Sequence, residues 1–196
     1  MTHVAELPPV HQRRQEFVKH LERLAHDLSS GTDHRIRAAR RTLAQLRRSA
    51  TGQLDEHEAL ALVFEHHAPR QEERIWLTVA GLFALNPRID GHRLRLGAAL
   101  GELERRQPRG TAQKRLRQLL AADTGALPQH LRTTLQLLAN HDIRVDFYTL
   151  LDDAVTLLDP HHDEQRGRDI RWRWARDFHQ RRNRKADNNA SQENDE

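Results

Sequence analysis

The chain is predicted to be all-α, and three features of the sequence predict it. Between breakers, nearly every segment repeats its apolar residues three and four apart. No run alternates polar and apolar residues with the β-branched enrichment of a strand. Clusters of Ser, Gly and Pro divide the chain into about nine such segments.

Phe17, Val18, Leu21, Leu24, Ala25 and Leu28 mark a first helix of about 17 residues, stopped by Ser29, Ser30 and Gly31. Asp33 can accept from the free amides of the next first turn, so it is placed to cap a second helix that reaches Arg48. Asp55 caps a third by the same logic, ending at Ala68 before Pro69. Glu72 to Leu85 is the most apolar segment (Ile75, Trp76, Val79, Ala80, Leu82, Phe83); Asn86 and Pro87 close it, and it is expected to run through the core.

After Gly91, Leu94, Leu96, Ala98, Ala99, Leu100 and Leu103 give a further helix that ends before Pro108, Arg109 and Gly110. That breaker cluster divides the chain, on this reading, into subdomains at 10–107 and 108–184. The later helices span about Thr111 to Ala122, Pro128 to His141, Asp146 to Leu158 and Glu164 to Arg184. In the last of these, Ile170, Trp174 and Phe178 are four apart and fit a packing stripe, which leaves Trp172 the freer aromatic for stacking on a base. The tail from Lys185 to Glu196 (KADNNASQENDE) is too polar to pack and is expected to be disordered.

Charge narrows the function. The formal net charge is +4, but the tail holds one base and four acids, so the first 184 residues keep 31 bases and 24 acids, a balance of +7. From His34 to Arg48 there are six arginines (Arg35, Arg37, Arg40, Arg41, Arg47, Arg48) and no carboxylate, while Ile36, Ala39, Leu43 and Leu46 recur at helical spacing. At about 100° per residue, five of those arginines fall within a roughly 120° arc opposite the apolar side. Solvated helix faces ordinarily mix both signs, so the missing acids point to a polyanion partner. A second basic stretch, from Arg105 to Arg132, sets Arg105, Arg106, Arg109, Lys114, Arg115, Arg117 and Arg132 against the single acid Asp123. The 29 arginines against 3 lysines also admit a bland reading, a bias of genomic base composition.

Catalytic readings fare poorly. With no cysteine there is neither a disulfide nor a thiolate site, which fits a reducing cytoplasm. The longest apolar stretch, Leu77 to Leu85, is too short to span a bilayer, and no signal-peptide pattern opens the chain. His66-His67 and His161-His162 are adjacent and point to different sides of a helix. The doublets His26-Asp27, His141-Asp142 and His162-Asp163 leave a metal-dependent helical phosphohydrolase as a remote alternative. No glycine-rich phosphate loop or nucleophile elbow is present, and Asp152-Asp153 has no matching acid pair. No catalytic residue, metal ligand or cofactor is assigned. A free-standing helical DNA-binding regulator would need amide side chains to read bases, and the arginine helix offers only Gln45. A scaffold whose basic faces dock acidic proteins is the third reading.

Eight blocks then carry a resemblance: FVKHLERL (17–24), GTDHRIRA (31–38), WLTVAGLFALNP (76–87), LGAALGEL (96–103), KRLRQLLAA (114–122), LPQHLRTTLQLL (127–138), VDFYTLL (145–151) and WARDF (174–178). In this order, over about residues 10 to 180, they resemble the CasB family, the small subunit of the type I-E CRISPR surveillance complex Cascade. The chain departs from the family pattern at Ala38 after Arg37, at Phe147 where Trp is usual, and at His179 where an aromatic is common.

The resemblance implies an all-helical, non-catalytic cytoplasmic subunit, present as a head-to-tail pair. Its implied partners are CRISPR RNA, target DNA, displaced single-stranded DNA and the backbone and large subunits, with no membrane. Within the matching blocks it points to Arg37, Lys114, Arg115 and Arg132 as nucleic-acid contacts, and to Arg70, after Pro69, where some relatives carry a base. Arg40 and Arg41 are added from helix geometry alone.

Overall fold

The structure, a computed structural model, describes residues 7–49, 56–161 and 163–190. Among them are nine helices: α1 (Val10–Ser30), α2 (Asp33–Ser49), α3 (Glu56–Glu65), α4 (Glu73–Leu85), α5 (Leu96–Arg106), α6 (Thr111–Ala121), α7 (Leu127–Ala139), α8 (Phe147–Leu158) and α9 (Glu164–Ala190). The one β pairing among the described residues is an isolated parallel bridge between Leu94 and Val145. The all-α expectation holds. None of the described helices is long and apolar enough to cross a membrane.

The chain forms two compact units, Met1–Pro87 and Arg88–Glu196. In the first, α2 packs against α1, α3 and α4. Phe17, Val18 and Leu21 from α1, Leu43 and Leu46 from α2, and Trp76, Val79 and Phe83 from α4 fill its core. The Phe17 and Trp76 rings lie 4.9 Å apart, tilted by 41°. Trp76 Nε1 donates to Glu72 Oε2 at 2.9 Å, and Arg14 donates to both oxygens of the same carboxylate. Burying the indole therefore leaves its N–H satisfied, and the acid that satisfies it is neutralised.

In the second unit α5 lies along α9. Gly97 and Gly101 make this approach possible: a Cβ on Gly97 would run into the Trp174 carbonyl, and one on Gly101 into the Phe178 carbonyl. Glycine normally weakens a helix interior by roughly 0.5–1 kcal/mol, and here the absent side chains let the α9 backbone come close. Ile170, Trp174 and Phe178 all lie buried, as their spacing predicts. Trp174 Nε1 donates to Asp153 Oδ2 at 2.7 Å, and Arg173 pairs with the other oxygen. Each unit thus closes a buried tryptophan with a buried acid and an arginine.

Several boundaries differ from the sequence reading. The α5 helix belongs with α6–α9, and Pro108-Arg109-Gly110 is a turn inside the second unit, with Gly110 at φ +72°. Asp33 is the first residue of α2, with Thr32 taking the cap position: Ile36 N–H donates to the Thr32 carbonyl at 2.9 Å. The α3 helix ends at Glu65, and His67 turns the chain at φ +50°. Asp55, expected to cap α3, lies outside the described residues. The α9 helix is described to Ala190, and 191–196 lie outside the described residues.

Candidate nucleic-acid interface

On α2 the helical repeat sends Ala39, Leu43 and Leu46 into the core and turns Arg37, Arg40 and Arg41 to solvent. Arg37 Nε donates to the backbone carbonyl of Asp33 at 3.2 Å, which uses one of its five N–H groups and neutralises none of its charge. Arg40 and Arg41 have no hydrogen bond or ion pair among the described residues. Arg47 is different. Its Nε donates at 3.0 Å to the Ala84 carbonyl, near the end of α4, where a cation satisfies an orphan acceptor. The basic arc read from the sequence therefore includes arginines with partners of their own, Arg47 and also Arg48. Arg70 is exposed in the turn between α3 and α4, also without a partner among the described residues.

In the second unit, Lys114 is exposed on α6 and Arg115, half-buried, donates to Gln118 Oε1 at 3.0 Å. Neighbours in sequence are about 100° apart on a helix, so Lys114 shares its exposed face with Arg117, three residues on, more than with Arg115. Arg132 is half-buried on α7, which packs against α6, and has no polar partner among the described residues. The sequence noted Arg117 without selecting it as a site residue.

The second basic stretch loses its first two members. Glu102, 2 % exposed on α5, accepts from Arg105 Nε at 3.0 Å, Arg106 Nε at 2.8 Å and Arg181 Nε at 2.8 Å. Burial pushes this carboxyl up, and the hydrogen bonds from Arg105, Arg106 and Arg181 more than reverse that, holding it at about 2. The pairs to Arg105 and Arg106, three and four residues away, were legible from spacing. Arg181, brought in by α9, was not.

Several of the histidines and acids are engaged within the fold. His20 Nδ1 and His66 Nε2 are 2.9 Å apart, one donating and one accepting, and burial pushes both pKa values down. Asp163 accepts from Gln165 N–H at 2.8 Å at the start of α9; its neighbour His162 lies outside the described residues. Asp142 pairs with Arg88, and burial pushes the Asp153 carboxyl up against the pull of Trp174 and Arg173. Among the described residues no three His, Asp or Glu side chains are grouped to hold a metal.

Fold and surface together define an all-α protein with cationic helix faces. The chain belongs to the family described as CRISPR-associated protein Cse2, whose sequence profile matches residues 42–179. That span contains Arg70, Lys114, Arg115 and Arg132, and begins just after Arg37, Arg40 and Arg41. The structure is similar to the crystal structure of CasB from M. ruber, with 26 % identity and a TM-score of 0.61 over 86 % of this chain and 93 % of that one. It also resembles a chain of a solved CRISPR RNA-guided surveillance complex, with 19 % identity and a TM-score of 0.68 over 91 % of this chain and 97 % of that one, a likeness of fold. No sequence among proteins of curated function matches.

Proposed function

We propose that this protein is a non-catalytic subunit of a type I-E RNA-guided surveillance complex. Its basic faces hold the guide RNA and target strand in place and retain the DNA strand displaced when an R-loop opens. The observation that carries the reading is the α2 face, where Arg37, Arg40 and Arg41 reach solvent with no ion-pair partner among the described residues, in a chain of the Cse2 family.

The physics fits such a role. Exchanging a DNA duplex for a guide heteroduplex is nearly balanced in free energy, so modest attraction for the displaced strand shifts the balance toward opening. Base pairing reads the sequence, and the protein supplies phosphate contacts, for which arginine is well suited and base-reading amides are unnecessary. Arg70, Lys114, Arg115 and Arg132 extend the contact set beyond α2. The subunit works as a head-to-tail pair beside the backbone and large subunits, in the cytoplasm, with no cofactor.

Purification of the tagged chain from its native host tests this. Guide RNA and the other complex subunits are expected to accompany it. Recovery of the chain alone, or with one preferred duplex sequence that survives competition from unrelated DNA, would contradict the reading and favour a free-standing regulator.

A further inference from the structure

Trp172 is 71 % exposed, on the opposite side of α9 from buried Ile170, Trp174 and Phe178. A large apolar side chain left in water on a well-packed helix is the feature that the core does not explain. It lines a cavity of about 360 Å³ together with Leu120 from α6 and Arg168, Arg171 and Ala175 from α9. That volume lies at the small end of the roughly 300–1,000 Å³ range of ligand pockets, which suits a single ring system.

The cations around the cavity are held in position. Arg171 donates to the Ala122 carbonyl at 3.0 Å and to the Gly167 carbonyl at 3.4 Å. Arg168 donates to Gln165 Oε1 at 2.9 Å and pairs with Glu164 at 3.4 Å. Asp169 is engaged by Gln165 Nε2 at 2.9 Å. Arg176, one turn beyond Trp172 on the same exposed strip, has no polar partner among the described residues.

We propose that this cavity takes one unstacked base of a single-stranded nucleic acid, with the Trp172 indole as the stacking surface and the neighbouring arginines meeting the backbone on either side. An indole stacks on any base, and guanidiniums add phosphate attraction without sequence preference. Leu120 lies six residues beyond Lys114 on α6, about 9 Å along the helix axis, a span of a few nucleotides. The proposal rests on the reading that this unit handles nucleic acid, and it adds a contact that charge alone does not supply.

The test titrates the full chain at low salt with single-stranded oligothymidylate, following tryptophan emission and the anisotropy of a labelled oligonucleotide. Trp76 and Trp174 are buried, so quenching is expected to come from Trp172 and to vanish in Trp172→Phe, which keeps a stacking ring and most of the affinity. Trp172→Ala is expected to bind about 5- to 100-fold more weakly with an unchanged salt slope, because stacking releases no counterions. Oligonucleotide binding without quenching, no binding by the wild-type chain, or full affinity in Trp172→Ala would each overturn the proposal. So would a Trp172→Ala chain that binds normally yet no longer joins the complex, since the residue would then be a protein anchor. None of these outcomes removes the guide RNA from the purified complex, so the broader reading fails or stands separately.

Discussion

Arg40 and Arg41 on α2 meet solvent without a carboxylate partner among the described residues, whereas Arg105 and Arg106 at the end of α5 both turn onto Glu102, which also takes Arg181 from α9. The two segments carry similar charge in sequence. A buried acid three and four residues upstream separates them, because an acid inside the fold must be neutralised and collects whatever guanidiniums can reach it. Arginines so collected hold helices together, and those left over are available to a polyanion. On the proposed function, availability and not number sets which arginines can hold nucleic acid.

The largest expected effect concerns the helix that delivers Arg181. Phe178→Ala should destabilise the protein by about 3–5 kcal/mol in urea unfolding, the usual cost of removing a buried aromatic. A stable Phe178→Ala would remove the reason for placing α9 against α5. Glu102→Ala should follow, at about 2–3 kcal/mol, since three guanidiniums lose their charged acceptor but can partly rehydrate. The same group sets an acid limit. Its folded pKa of about 2 lies below the ordinary value of 4.5, so its contribution is complete above about pH 4.5 and is lost as pH falls toward about 2. That part of the acid unfolding curve, worth about 3 kcal/mol at 1.36 kcal/mol per unit, should be missing from the variant. An identical acid profile would show that the carboxylate is not held by the cluster.

Gly97→Ala should cost about 1–3 kcal/mol, the range of forced overpacking, because the obstacle is the Trp174 carbonyl and not a movable side chain. This glycine also shows how far the sequence could be read. The α2 face was legible because one local repeat decides both which residues enter the core and which arginines stay out. The grouping of α5 was not legible: Pro108-Arg109-Gly110 looks like a division between subdomains, yet the close approach that Gly97 and Gly101 permit joins α5 to α9, about 80 positions away. Glu102 was legible in half, through its local partners and not through Arg181. Trp172 was separated from the core stripe by spacing alone, and Leu120, from α6, completes the cavity beside it.

The smallest effect on stability is expected on α2. Arg40→Ala and Arg41→Ala, alone or together, should leave unfolding within about 0.5 kcal/mol of wild type, as exposed charges without partners contribute little. A larger loss would mean that these side chains serve the fold as Arg105 and Arg106 do.

The most direct measurement compares the two segments in one assay: the salt dependence with which the assembled complex retains the displaced strand. Replacing Arg37, Arg40 and Arg41 together by Ala should reduce the slope of log affinity against log salt by about 2, at roughly 0.7 per lost phosphate contact on a single strand, and equally for all targets. Replacing Arg105 and Arg106 should lower stability and leave that slope unchanged. The reverse pattern, an unchanged slope for the α2 variant and a reduced one for the α5 variant, would contradict the account.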